Sequence, residues 1–228
     1  MVRGYSVIIP VWKEHEGING TIRHIRHLGG DADVEIIVVD GDPAKSTLHA
    51  IGDSEVKRVP SARGRGRQMN AGAASAGGSV LLFLHADTRL PVGAFDRIGE
   101  LLHDTTCVGG FFDLGIDSER SVYRFIEVVA SKRSRITNIP YGDQAIFLRK
   151  EYFDRIGGYH DLPIMEDVDL MRRIKRQGDK LRSVGGKVIT SSRRWEKEGI
   201  LLCTVRNWLL IVLYFAGVSP RRLAIYYR

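Results

Sequence analysis

Val34-Glu35-Ile36-Ile37-Val38-Val39-Asp40-Gly41-Asp42 decides the fold: a nearly continuous β-branched run that stops at an acid and a glycine. A strand with one face in water alternates polar and apolar residues, whereas a strand covered on both faces reads as unbroken apolar sequence. The same pattern stands upstream in Val7-Ile8-Ile9-Pro10-Val11. It returns downstream in Val80-Leu81-Leu82-Phe83-Leu84, which ends in His85-Ala86-Asp87. Between these runs, Ile18, Ile22, Ile25 and Leu28 recur at helical spacing over residues 16–28. A short helix around 47–51, a weak strand at 55–59 and a small-residue helix at 69–76 complete the alternation. Strand–helix–strand order with short turns predicts an α/β fold: a Rossmann-like, mostly parallel sheet with helices on both faces.

The second half changes character. Residues 108–116 and 145–148 read as strands separated by a helical stretch over 119–131. Pro163 opens a helix in which Ile164, Met165, Val168, Met171 and Ile174 share a face, and Gly178 ends it. No linker, low-complexity tract or repeat divides the chain, so residues 1–228 read as one domain.

Composition sets the outer bounds. The 228 residues are 43% apolar and 27% charged, which excludes a disordered chain, a collagen-like repeat and a small disulfide scaffold. Thirty-four Lys and Arg against 27 acids give a net charge of +7, favouring anionic partners. Cys107 and Cys203 lie far apart with no CxxC spacing, which suits a reducing compartment. Met1-Val2-Arg3-Gly4 runs straight into a strand without a signal-peptide pattern, so the expected location is the cytoplasm or the inner face of a membrane. Residues 199–218 are the most apolar stretch, interrupted by Arg206 and Asn207. The remaining run, 208–216, falls short of the roughly 18 residues a bilayer span needs. It reads either as a core or oligomer-forming helix, or as a membrane-surface helix carrying Trp208, Tyr214, Arg221 and Arg222.

Ligands of open parallel sheets bind outside the carboxyl ends of the strands. Three such ends carry chemistry here: Trp12-Lys13-Glu14, Asp40-Gly41-Asp42 and His85-Ala86-Asp87. A strand-end acid can accept hydrogen bonds from a ribose or a base edge, and Asp87 suits a hard divalent cation. Asp40-Gly41 equally describes a turn or helix cap, and His85 equally a packing residue. Arg63-Gly64-Arg65-Gly66-Arg67 precedes a helix start, where close backbone approach and guanidinium groups fit a diphosphate, or single-stranded RNA. Glu166-Asp167 falls in the first turn of a helix: acids there complement the helix dipole, and one could serve as a general base. Asp169 faces elsewhere, as a cap or surface acid.

Taken in order, Val7-Ile8-Ile9-Pro10-Val11, Ile37-Val38-Val39-Asp40-Gly41, Arg67-Gln68-Met69-Asn70-Ala71-Gly72 and Phe83-Leu84-His85-Ala86-Asp87 resemble the family 2 glycosyltransferases. Tyr141-Gly142-Asp143-Gln144-Ala145-Ile146-Phe147, Gly157-Gly158-Tyr159 and Pro163-Ile164-Met165-Glu166-Asp167-Val168-Asp169-Leu170 extend the likeness, as do Ser191-Ser192-Arg193-Arg194-Trp195 and Gly199. The likeness is strongest to the compact bacterial radical-SAM/selenodomain-associated transferases and covers residues 5–227.

The resemblance implies a GT-A fold with a nucleotide-donor half at about 1–90, an acceptor half at about 91–195 and a helical extension at about 196–228. It implies inverting transfer from a nucleotide-diphosphate sugar, UDP- or GDP-linked, to an acceptor hydroxyl of unnamed chemistry. Pro10, Val11, Trp12 and Glu14 match the nucleoside pocket and Asp40 the acid that contacts the base. Arg67, with Arg63 beside it, matches the donor-phosphate region. Ala86 and Asp87 match the end of the DxD motif, whose last acid holds Mn²⁺ or Mg²⁺. Asp167 matches the general base, with Glu166 beside it, and Gly142, Asp143 and Gln144 match the acceptor and sugar contacts. Arg193, Arg194 and Trp195 match a basic-aromatic motif near the diphosphate. Two positions depart from the pattern: His85 replaces the first DxD acid, and Lys13 stands where many relatives carry asparagine. A nucleotidyltransferase, or a non-catalytic protein binding nucleotide sugars or RNA, is the alternative. Clustered acids repel a polyanion, so no nucleic-acid partner is expected. Peripheral membrane contact and homo-oligomerisation remain open to the apolar C-terminal helix.

Overall fold

The computed structural model describes residues 2–227; Met1 and Arg228, at the two ends of the chain, lie outside it. Eight strands form one sheet in the order β3-β2-β1-β4-β7-β6-β8-β5. They are β1 (Tyr5–Val11), β2 (Val34–Asp40), β3 (Lys57–Pro60), β4 (Val80–Phe83), β5 (Thr88–Arg89), β6 (Gly109–Asp117), β7 (Phe147–Arg149) and β8 (Arg182–Ser191). The first four sequence runs pair in parallel, with Val7 opposite Ile36 and Val11 opposite Asp40. Beyond β4 the sheet becomes mixed: β7 is antiparallel to both β4 and β6, β6 and β8 are parallel, and β5 is antiparallel to β8.

Strand alternation sends successive residues to opposite faces and builds two cores. Val7, Ile9, Ile36 and Val38 meet α1 (Ile18–Gly29) and α4 (Ala94–His103) on one face. Ile8, Ile37 and Val39 meet α3 (Arg65–Ser75), α7 (Glu166–Arg176) and α9 (Ile200–Phe215) on the other. Gly72 on α3 sits so near the sheet that a Cβ there would lie 2.4 Å from Ile8 Cγ2, which is why the helix is built of small residues. The shorter helices are α2 (Ser46–Ala50), α6 (Lys150–Arg155), α8 (Arg193–Glu198) and α10 (Pro220–Leu223). The long α5 (Ser121–Thr137) packs on β6.

Several boundaries differ from the sequence reading. The helix after Pro163 begins three residues later, at Glu166, because Met165 adopts a left-handed conformation (φ 66°) that helical residues do not. The helix predicted at 69–76 starts at Arg65, inside the Arg-Gly run. Tyr214 turns inward, 8% exposed, and is not a surface anchor. Both cysteines are free and buried. Among the described residues no helix is long and apolar enough to cross a membrane.

Candidate active site

The carboxyl ends of β1 and β4, the turn at Gly142–Gln144, the first turn of α7 and the inner faces of α5 and α9 enclose a cavity of about 660 Å³. Pro10, Val11, Trp12 and Glu14 line it after β1, and His85, Ala86 and Asp87 line it after β4. Among the described residues, three of the five non-glycine residues with left-handed backbone flank these loops: Lys13 (φ 57°), Ala145 (φ 46°) and Met165 (φ 66°). Each such residue costs about 1–2 kcal/mol, and strain of this kind concentrates where side chains must be aimed. Lys13 occupies a conformation that asparagine adopts more readily than lysine.

At the floor, Asp167 is fixed by two backbone donors. Its Oδ2 accepts from Gly142 N–H at 2.7 Å and its Oδ1 from Val168 N–H at 2.7 Å. A Cβ at Gly142 would stand 3.1 Å from His85 Nε2 and 3.5 Å from Asp167 Oδ2, so the missing side chain leaves open the space between them. Burial, helped by the Arg65 guanidinium, holds the His85 imidazole down at about 3, hence neutral. Glu166 is 3% exposed and pairs with Arg65 Nη1 at 3.3 Å. Burial pushes its carboxyl up, opposed by that guanidinium. Asp143, half-buried, is pushed up to about 6 by burial against the pull of Arg133. Arg133 stacks 3.3 Å over the Tyr141 ring and its Nε lacks a protein partner.

At the rim, the side chains of Glu14 and Asp87 are one third exposed, and Arg193 Nη2 lies 3.6 Å from one and 3.5 Å from the other. One arginine thus occupies the place between two strand-end carboxylates. Among the described residues no three His, Cys, Asp or Glu side chains converge to hold a cation alone. Asp87 has no closer partner than Arg193. It fits a cation that takes its remaining ligands from a bound diphosphate and water.

Three expected residues, Asp40, Arg67 and Gln144, stand elsewhere. Asp40 is fully buried and does not line the cavity: Oδ1 accepts from Asp42 N–H at 2.8 Å, and Oδ2 from Thr47 and Leu48 N–H at 3.1 and 3.3 Å. The cap reading of Asp-Gly describes it, and its oxygens are committed to backbone. Arg67 points away from the cavity and pairs with Asp161 at 2.5 Å. Helical rotation turns Arg65 inward instead, beside Glu166. Gln144 is buried outside the cavity, where Oε1 accepts from Ser134 Oγ and Tyr141 N–H while Nε2 donates to Phe112 O. It clamps the turn that presents Gly142 and Asp143. Asp169 pairs with Arg173 and His160.

The remaining expected residues do meet at the cavity. Arg63 lines it and stacks 4.4 Å over Trp12. Arg194 lines it and donates to the Tyr227 hydroxyl at 2.5 Å, and Trp195 lines it edge-on to Tyr123. Arg133 went unmarked in sequence, while Arg65 stood only within the Arg-Gly run and Tyr141 only as the first residue of its motif.

The sheet order, with helices packed on both faces, defines an α/β fold of GT-A type. The mannosyltransferase PcManGT from Pyrobaculum calidifontis, solved in complex with GDP-Man and Mn²⁺, has the same fold: TM-score 0.61 at 17% identity, covering 82% of this chain and 56% of that chain. This chain therefore spans little more than half the length of that protein. No curated protein matches. The family model for Glycosyl transferase family 2 matches residues 6–160, and the chain belongs to that family. The match is to the family as a whole and does not distinguish its subgroups.

Proposed function

We propose that the chain transfers a sugar from a UDP- or GDP-sugar to an acceptor hydroxyl with inversion, its first 90 or so residues holding the donor. The observation that carries this reading is the joint placement of Asp167, His85 and Gly142 at the floor of a cavity whose rim bears Glu14 and Asp87.

Trp12, with Arg63 stacked on it, offers a flat surface to the nucleoside. Arg63, Arg65 and Arg194 line the cavity and supply charge-assisted hydrogen bonds to a diphosphate. Mn²⁺ or Mg²⁺ held by Asp87 would add charge stabilisation of the leaving diphosphate. Arg193 has two carboxylates to leave and the same diphosphate to join. Asp167 accepts one backbone hydrogen bond at each oxygen, keeping a lone pair on each to take the proton of an acceptor hydroxyl. The hydroxyl oxygen then attacks the anomeric carbon as the bond to the diphosphate breaks on the opposite face. His85, held neutral, and Asp143 border the space where that carbon would lie, and Glu166 holds Arg65 in place.

Calorimetry with UDP-, GDP-, CDP- and dTDP-sugars, each with and without Mn²⁺ or Mg²⁺, tests this. One donor should bind more tightly with metal, and the enhancement should vanish in Asp87→Ala. Binding of none of them would overturn the reading.

A further inference from the structure

Of the large apolar side chains that stand exposed among the described residues, all but Val92 lie on α5, on α9 or in the turn after α10. Along α9, Leu201, Val205, Trp208, Val212 and Phe215 recur every three to four residues, 48–78% exposed, while Cys203, Leu210 and Tyr214 face the core. The outward stripe carries no charge, because the helix's one ion, Arg206, is turned onto Glu198. Phe125 on α5 is 70% exposed and Trp208 59%, yet both also line the cavity, which puts them at its mouth. Behind them the walls are Ile126, Val129, Leu210 and Ile211. Thr204 Oγ1 and Asn207 Oδ1 line the same wall without a protein partner.

Along α5, α9 and α10 the exposed charge has one sign. From Gly199 onward the sequence holds four arginines and no acid, and the only acid of α5, Glu127, is 1% exposed. Lys132, Lys197, Arg221 and Arg222 are exposed, and none pairs with a carboxylate among the described residues. A water-facing helix would carry its own ions on the outward stripe. A second copy of the chain would set these cations against one another. At 16 residues α9 is about 24 Å long, short of the roughly 30 Å hydrocarbon core, so it can lie in a bilayer surface but not cross it.

We propose that the α5–α9 face seats on an anionic lipid bilayer, and that the acceptor hydroxyl is borne by a lipid entering between Phe125 and Trp208. Trp208 and Tyr226 take the interfacial positions that such side chains favour, and the cations meet the anionic headgroups. The docking stands on the surface alone; the acceptor class rests on the transferase reading.

Flotation with phosphatidylcholine vesicles, with or without about one third phosphatidylglycerol, tests the docking. Full-length protein should float with the anionic vesicles, and the Val205→Asp/Leu209→Asp double variant about tenfold less or worse. Its circular dichroism and nucleotide-sugar affinity should be unchanged. Failure of the wild type to float, or a lipid-free dimer that the double variant dissolves, would overturn the docking. With vesicles of native lipid extract, label from the donor sugar should pass into the organic phase in the wild type and about tenfold less in the variant. Label that stays in water would overturn the lipid acceptor. Donor affinity, measured in parallel, separates these failures from failure of the transferase reading itself.

Discussion

The ends of β2 and β4 look alike as sequence, each an apolar run closing on an aspartate, and the structure sets the two acids in opposite surroundings. Asp40 is enclosed and spends both oxygens on the N–H groups of Asp42, Thr47 and Leu48. Asp87 is one third exposed and meets only the long contact to Arg193. A carboxylate surrounded by converging backbone donors is part of the scaffold, and one left with free lone pairs at a cavity rim is available to a ligand. The difference lies in where the following residues run. After β2 the chain turns back into α2 across the acid; after β4 it continues to β5, which the Thr88–Thr190 hydrogen bond ties to β8.

Substitution should break the likeness most visibly at the scaffold acid. Asp40→Ala strands three buried N–H groups, an expected loss of about 3 kcal/mol, or about 6–12 °C in Tm for a chain of this size. Asp87→Ala should change stability by no more than about 0.5 kcal/mol and remove only the metal-enhanced part of donor binding. Equal thermal shifts in the two variants would erase the distinction.

The two arginines of the Arg-Gly run repeat the contrast on a smaller scale. Arg65→Ala removes a charged donor from the cavity, with an expected loss in donor affinity of about 10- to 100-fold. Arg67→Ala cuts an exposed, solvent-screened pair with Asp161, with stability expected to change little and donor affinity not at all. Calorimetry on both variants decides between them.

Asp143 carries a pH-dependent effect. Its folded-state carboxyl titrates at about 6 against an ordinary 3.8. Between those values the folded protein holds a proton the unfolded chain has lost, so this residue lowers stability as pH rises through that window. Asp143→Asn should raise Tm by about 2–4 °C above neutrality and leave it unchanged below the ordinary 3.8, where the folded and unfolded carboxyls are both protonated. A gain of the same size at acid pH would contradict the assignment.

The apolar strands and the α7 helix were legible because burial on both faces and helical periodicity write themselves into residue type. The family motifs marked most of the cavity. What stayed hidden depends on phase and on distant partners. Helical rotation decides between Arg65 and Arg67, and a spacing of two does not reveal which one turns inward. Gln144 sits in a motif, yet its clamp on Phe112 and Ser134 is visible only once β6 and α5 are in place. Strand β8 carries Gly185 and Gly186 at positive φ and shifts register against β6, so its alternation is broken in sequence.

The measurement that bears most directly on the site is nucleoside diphosphate release by Asp167→Asn, with donor affinity taken on the same sample. Release should fall by about 10²- to 10⁴-fold, while the affinity for the nucleotide sugar stays at the wild-type value. Release at the wild-type rate, or a loss of donor binding as large as the loss of turnover, would contradict a proton-accepting role for Asp167.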